Sequence, residues 1–257
     1  MSSVTIDNDE PTSGRMGADM SLLRLFFGDQ SFEEVERADA EENRKTLREE
    51  YRHHMKRDLS LPSHDSLTSI AVPGELVMTL STWLKANPGN LAECPTRNYS
   101  PEVVEILADA LFDPEYKLPD VVLYGETETE FHLQVYFCAV EMGMQSLQDF
   151  AFKFMKAALR EEGLAPEELR NSCRNHGLFD WEFCEQAKTI PQHHMIMCSF
   201  ATHIAIHEDE YVGNSVYASL LLVTKGWLAY YVNAVRGDVQ RYIEALRRDG
   251  NTIAVGR

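Results

Sequence analysis

The chain has 257 residues, 44% of them hydrophobic and 25% charged, with a formal net charge of −17. That length is enough for one large domain or two small ones with a real core. An acidic excess of this size repels phosphate backbones and anionic lipid surfaces, so nucleic-acid and membrane-surface binding are disfavoured.

Residues 1 to about 20 are polar, with Gly, Ser, Pro and acids, and read as a disordered tail. The run Ser21 to Asp29, "SLLRLFFGD", follows. Its core LLRLFF has five apolar side chains in six positions. The run reads as a short helix tucked onto the main body, or as a docking motif. Phe32 to about Leu59 is densely charged. Leu47, Tyr51, Met55 and Leu59 recur at steps of four, a narrow apolar stripe on a surface helix. Glu41 and Lys45 form an i,i+4 pair of favourable order.

Leu61 to Glu75 is punctuated by Pro and Ser and reads as a linker. A helix is expected over about Glu75 to Ala86, with Leu76, Leu80, Trp83 and Leu84 on one side. The loop "NPGNLAECPTRNYSP" comes next. Ser100 is a good N-cap residue and Pro101 suits the first helical position, so a helix starts there and carries Val103, Val104, Leu107 and Leu111. "DPEYKLPD" ends it, and "VVLYGETETE" reads as a turn or strand-like piece. Phe131 to Met155 predicts a long helix to about Val140, a break at Gly143, and a second helix from about Ser146 to Arg160. Leu147, Phe150, Phe154 and Ala158 would line one face of the second helix.

Beyond Gly163 the pattern stays helical. Pro166 sits at a helix start with Glu167 and Glu168 in the first turn, matching the helix dipole. Further helices are expected over about Asp180–Ala187, Pro191–Ile206, Asn214–Val235 and Asp238–Arg248. The apolar run "VYASLLLVTKGWLAYYV" is broken by Lys225 and Gly226. A membrane span needs about 20 mostly apolar residues, so no transmembrane helix is expected. The first residues carry no secretory leader pattern. The five cysteines, Cys94, Cys138, Cys173, Cys184 and Cys198, form no CxxC pair. They read as reduced thiols of a cytoplasmic or nuclear protein, most of them buried.

Chemistry-bearing motifs are sparse. GxGxxG, GxxxxGK, GxSxG and HExxH are all missing. The strongest candidate is His203 with His207, an i,i+4 pair on one helix face with Cys198 and Glu210 nearby. Convergent ligands of this kind suit a metal, though the helix also carries Ile196, Phe200, Ile204 and Ile206 and specifies no fourth ligand. His53 and His54 are adjacent rather than facing, in a charged setting. Pro101 to Glu130 holds nine acids against one base, Lys117, which reads as a solvated acidic face or a rim for a basic partner. His132 has no evident catalytic partner and reads as a packed, hydrogen-bonded residue.

Two stretches carry a family resemblance. "VEILADALFDPEY" is similar to the V-E-x-x-L-x-x-L-Y-T-G-D-Y segment of fungal BTB/POZ proteins, through Val104, Glu105, Leu111, Phe112, Glu115 and Tyr116. The Phe131–Met155 stretch resembles that family's next helix pair through His132, Val135, Tyr136, Ala139, Met144, Leu147 and Ala151. Val140, Glu141 and Met142 stand where the family has D-K-Y, and Asp113 and Pro114 where it has T-G. The family's first half, a strand hairpin followed by F-x-V-H-K-x-V-L, finds only a remote echo in "VPGELVMTLSTWL".

The resemblance implies a mainly α chain: a divergent BTB/POZ-like α+β domain over residues 61–160 with a small or degenerate sheet. A tail and charged helix would precede it over 1–60, and a C-terminal helical extension would follow over 161–257. It also implies a non-enzymatic protein–protein interaction module, with partners that include a second copy of the chain or a cullin-type ubiquitin ligase. No catalytic, cofactor-binding or metal-ligating residue is assigned. The alternative is a metal-dependent protein or enzyme built on the His203/His207 face.

Overall fold

The computed structural model describes residues 56–65, 68–112, 116, 127–161 and 163–248. The fold is mainly helical, with one two-stranded antiparallel sheet among the described residues. The chain divides into two compact units, whose described parts are residues 56–161 and 163–248.

The first unit opens with strands β1 (Leu59–Pro62) and β2 (Ser69–Val72). Leu59 pairs with Val72 and Leu61 with Ile70. Opposite residues of an antiparallel pair share a face, so these four side chains make one apolar face. Leu61 and Val72 are fully buried there. This corrects the linker expected over Leu61 to Glu75. It also ends the proposed apolar helical stripe before Leu59, which begins a strand; β1 runs across the expected boundary at 60/61. Each strand has only two inward positions, too few for alternation to stand out against Pro62, Ser63 and Ser69.

The helix expected over Glu75 to Ala86 is two short helices, α1 (Gly74–Leu80) and α2 (Thr82–Ala86). Ser81 breaks them with extended backbone, φ −98° and ψ 114°, and its hydroxyl accepts from the Leu84 amide at 3.2 Å as an N-cap. Short 3₁₀ turns at Leu91–Glu93 and Pro95–Asn98 lead to α3 (Pro101–Asp109). Ser100 is the N-cap residue and Pro101 the first helical one, but the Ser100 hydroxyl makes no capping bond.

Helix α4 (Glu128–Met142) is apolar on nearly every side, the pattern of a central helix. It packs against α5 (Gln145–Glu161), α3, α2 and the Pro95–Asn98 turn. Phe131, Leu133, Val135, Tyr136, Cys138 and Ala139 are fully buried. Burial is worth roughly 1.5–3 kcal/mol for each large apolar side chain, so this helix is one substantial contributor to the unit's hydrophobic stabilisation. The break falls at Gly143, in left-handed backbone at φ 65°. The Gly143 amide donates to Val140 and the Met144 amide to Ala139, the two bonds of a Schellman motif. The buried stripe of α5 is Leu147, Ala151, Met155, Ala158 and Leu159; Phe150 and Phe154, expected on it, are half-buried.

The second unit contains α6 (Pro166–His176), α7 (Trp181–Gln186), α8 (Pro191–Ile206), α9 (Glu208–Tyr211), α10 (Ser215–Val223) and α11 (Trp227–Arg248). Pro166 opens α6, and the Glu168 carboxylate accepts from the Ala165 amide at 2.7 Å. Helix α8 is the core element, with Ile196, Met197, Phe200, Ala201 and Ile204 buried against α11, α7 and α9. Its partner α11 presents Leu228, Tyr231, Val232, Val235 and Val239, a helical stripe.

The expected break between Val235 and Asp238 is absent; α11 runs unbroken through Gly237. The break lies at Thr224–Gly226 instead. Lys225 (φ 50°) and Gly226 (φ 84°) are both left-handed. Bonds from the Lys225 amide to Leu222 and from the Gly226 amide to Leu221 close a second Schellman motif.

Candidate functional site

Helix α10 has the sequence SVYASLLLV, with seven apolar residues in nine and no charge. Such a helix should be buried on all sides. It is not: only Leu220 is buried, where α10 packs on α6 and α11. Leu222 is 80% exposed and Val223 66%. Val212, just before the helix, is 65% exposed.

The turn after α10 delivers the chain to a cluster of rings. Trp227 and Trp181 lie 5.9 Å apart between centroids, and Trp227 meets Tyr230 edge-on at 5.8 Å. Trp181 and Tyr230 are both more than half exposed. Tyr231 continues the cluster inward to Phe179, at 5.7 Å in an edge-to-face contact. The Lys188 ammonium stands 5.7 Å from the Trp181 ring, and exposed Lys225 sits in the turn itself. Exposed aliphatic side chains at Leu222 and Val223 and exposed rings at Trp181 and Tyr230 are apolar surface of the kind found at interfaces, and Lys188 beside Trp181 is ion-paired with Glu185 at 2.6 Å.

The histidine candidates are placed as follows. His203 and His207 do share one side of α8, their rings 4.6 Å apart. His203 is fully buried, and burial, with His207 beside it, holds its imidazole down at about 3. His207 meets Glu210 at 3.4 Å, a partly exposed contact. Cys198 turns to His194 instead, with sulfur and Nε2 3.5 Å apart. Among the described residues no group of three or more His, Cys, Asp or Glu side chains is arranged to hold a metal ion. The periodicity that put two rings on one face did not specify a third donor.

His132 is buried, and its Nδ1 lies 2.6 Å from the Tyr116 hydroxyl. Phe154 packs on both rings, at 5.6 Å and 5.0 Å. Burial lowers the imidazole to about 4. A neutral, tyrosine-bonded ring wedged by a phenylalanine is a packing residue. The hollow beside it, about 190 Å³, is edged by Glu128 and Glu161. A second hollow of about 280 Å³ lies between β2 and α3, rimmed by Arg57, Glu105 and Asp109. Of the acids counted between Pro101 and Glu130, Glu105 and Asp109 are exposed, whereas Glu130 is buried. Asp113, Glu115, Asp120 and Glu126 lie outside the described residues, as do His53, His54 and the LLRLFF run.

All five cysteines are buried, and none forms a disulfide. No described helix is long and apolar enough to cross a membrane. The exposed face on α10 was legible only as an unusually apolar run; what exposed it was invisible before the packing of α6 and α11 was known. Comparison with known protein families, with curated protein sequences and with solved structures finds no significant match to this chain.

Proposed function

We propose that the chain is a non-catalytic protein–protein interaction module of divergent BTB/POZ-like type, acting as a self-associating or scaffolding component. The observation that carries docking is the exposure of Leu222 and Val223 on a helix without charge. Exposed large apolar side chains on a helix without charge are the kind of surface that interaction sites use. The BTB/POZ-like reading draws support from the order of elements: a hairpin, short helices, α3, then the paired α4 and α5. The hairpin supplies strands in the half of the domain where the sequence pattern was faintest. Partners are proteins, with a cullin-type ligase the class the resemblance suggests.

Affinity purification and light scattering of one variant test the reading. Leu222→Glu with Val223→Lys changes two exposed side chains, so folding is preserved within about 0.5 kcal/mol. The variant should lose self-association or a defined co-purifying protein that the wild type keeps. A wild-type chain that stays monomeric at every concentration and recovers no partner defeats the proposal.

A further inference from the structure

We propose that the outer edge of β2 takes up an extended basic peptide of a protein partner, added as a further strand, with a basic side chain turned to Glu105 on α3. This surface lies within the unit of residues 56–161 and uses none of the α10 side chains.

The hairpin register fixes which main-chain groups are available. The Ser63 amide donates to the Thr68 carbonyl at 3.3 Å. Hydrogen-bonded pairs alternate along an antiparallel ladder. Leu61–Ile70 and Leu59–Val72 therefore exchange bonds, whereas Pro62–Ser69 and Ser60–Ala71 do not. The amides and carbonyls of Ser69 and Ala71 point away from β1. Both residues are exposed, and among the described residues no protein hydrogen bond reaches those groups. The outward positions of β1 are Ser60 and Pro62, and Pro62 has no N–H to donate. The edge of the hairpin that offers a full set of donors and acceptors is that of β2.

The hollow between β2 and α3 determines what fits there. It is about 280 Å³ in volume and is lined by Ile70, Ala71, Val72 and Pro73 in succession. Alternate residues would line a sheet face; consecutive residues line an edge. The opposite wall is one stripe of α3, Glu105, Ala108 and Asp109, continued by Phe112 at the i+7 position. An extended chain laid in this slot bonds to Ala71 through its main chain and sets alternate side chains against the helix. Two carboxylates line the slot against the single guanidinium of Arg57. A net charge of −17 draws basic segments toward it and opposes a second copy of the chain.

The probe is a fluorescein-labelled peptide of alternating valine and lysine, titrated against the full-length chain by fluorescence anisotropy. Two further versions are N-methylated, one on the valines and one on the lysines. In a strand these amides point to opposite edges, so one version should lose about tenfold in affinity and the other should keep it. A valine–glutamate peptide should bind about tenfold more weakly than the lysine peptide. Ala71→Pro removes an outward N–H without touching the ladder and should also weaken binding about tenfold. Glu105→Lys, at an exposed position, should weaken the lysine peptide and not the glutamate one. If circular dichroism shows that Ala71→Pro does not fold, the methylated pair and Glu105→Lys decide the matter. No saturable binding, equal binding of both methylated versions, or equal binding of the lysine and glutamate peptides would each overturn the inference. So would self-association of the peptide-free chain that Ala71→Pro abolishes, which assigns the edge to a second copy. Leu222→Glu with Val223→Lys should leave peptide binding unchanged. Loss of binding in that variant would place the peptide on α10 and overturn the inference while leaving the α10 reading in place.

Discussion

The Ser81 hydroxyl donates a 2.6 Å hydrogen bond to the main-chain carbonyl of Met142, 61 residues further on, in a fully buried setting. The same oxygen accepts from the Leu84 amide at 3.2 Å. One side chain thus caps α2 and serves the last turn of α4. Ser81→Ala removes the cap and leaves the Met142 carbonyl without that donor, so it should cost about 1–3 kcal/mol. Urea denaturation reads this as a lower midpoint with unchanged m-value.

Gly143, next in the chain, is constrained twice. Its φ is 65°, and a Cβ built there would lie 1.8 Å from the Thr82 Oγ1 and 3.4 Å from the Thr82 amide nitrogen. Gly143→Ala should therefore destabilise by more than the roughly 1 kcal/mol of the backbone conformation alone. Adding Thr82→Ala removes the nearest atom. The double variant should recover part of the loss, a non-additivity measurable in a double-mutant cycle.

Lys225 occupies the left-handed position of the Schellman motif that ends α10, at φ 50°. Glycine adopts that conformation without Cβ strain. Lys225→Gly should raise stability by about 0.5 kcal/mol, visible as a small upward shift of the thermal midpoint.

His132 and His203, one in each unit, are buried and held below the ordinary imidazole value of 6.5, at about 4 and about 3. Above pH 6.5 both are neutral, folded or unfolded, and the fold keeps its full stability. Below 6.5 the unfolded chain takes up protons that the folded chain refuses. Stability is then lost at about 1.4 kcal/mol per pH unit per histidine, down to about pH 4 for His132 and pH 3 for His203. Denaturation midpoints at pH 7.5 and pH 5 should show the decline. His203→Gln, which does not titrate, should lessen it even though the variant starts from lower stability.

Leu220 and Leu222 are two residues apart on α10, 3% and 80% exposed. Leu220→Ala should cost about 2–4 kcal/mol through lost burial and a cavity, whereas Leu222→Ala should fall within about 0.5 kcal/mol of wild type. Equal losses would mean that Leu222 is covered.

Amino-acid order alone determined what depends on neighbours along the chain. Helical spacing placed α8 at Pro191–Ile206, Pro101 and Pro166 marked two helix starts, and Gly143 marked the stop after α4. It also indicated that the chain is mainly helical and that most of its cysteines are buried, as all five are. Each of these follows from a local cause: a periodicity, a fixed φ, a missing Cβ.

Tertiary structure decided everything that rests on contacts distant in sequence. The β1–β2 hairpin exists because Leu61 and Val72 find a core to enter, and four-residue strands carry too little pattern to announce it. Gly237 stays helical and Lys225 does not, a choice that packing of α11 on α8 makes against local propensity. The apolar face of α10 is exposed because α6 and α11 cover only one side of it. Composition counts apolar side chains; which of them meet solvent is set by the elements packed against them.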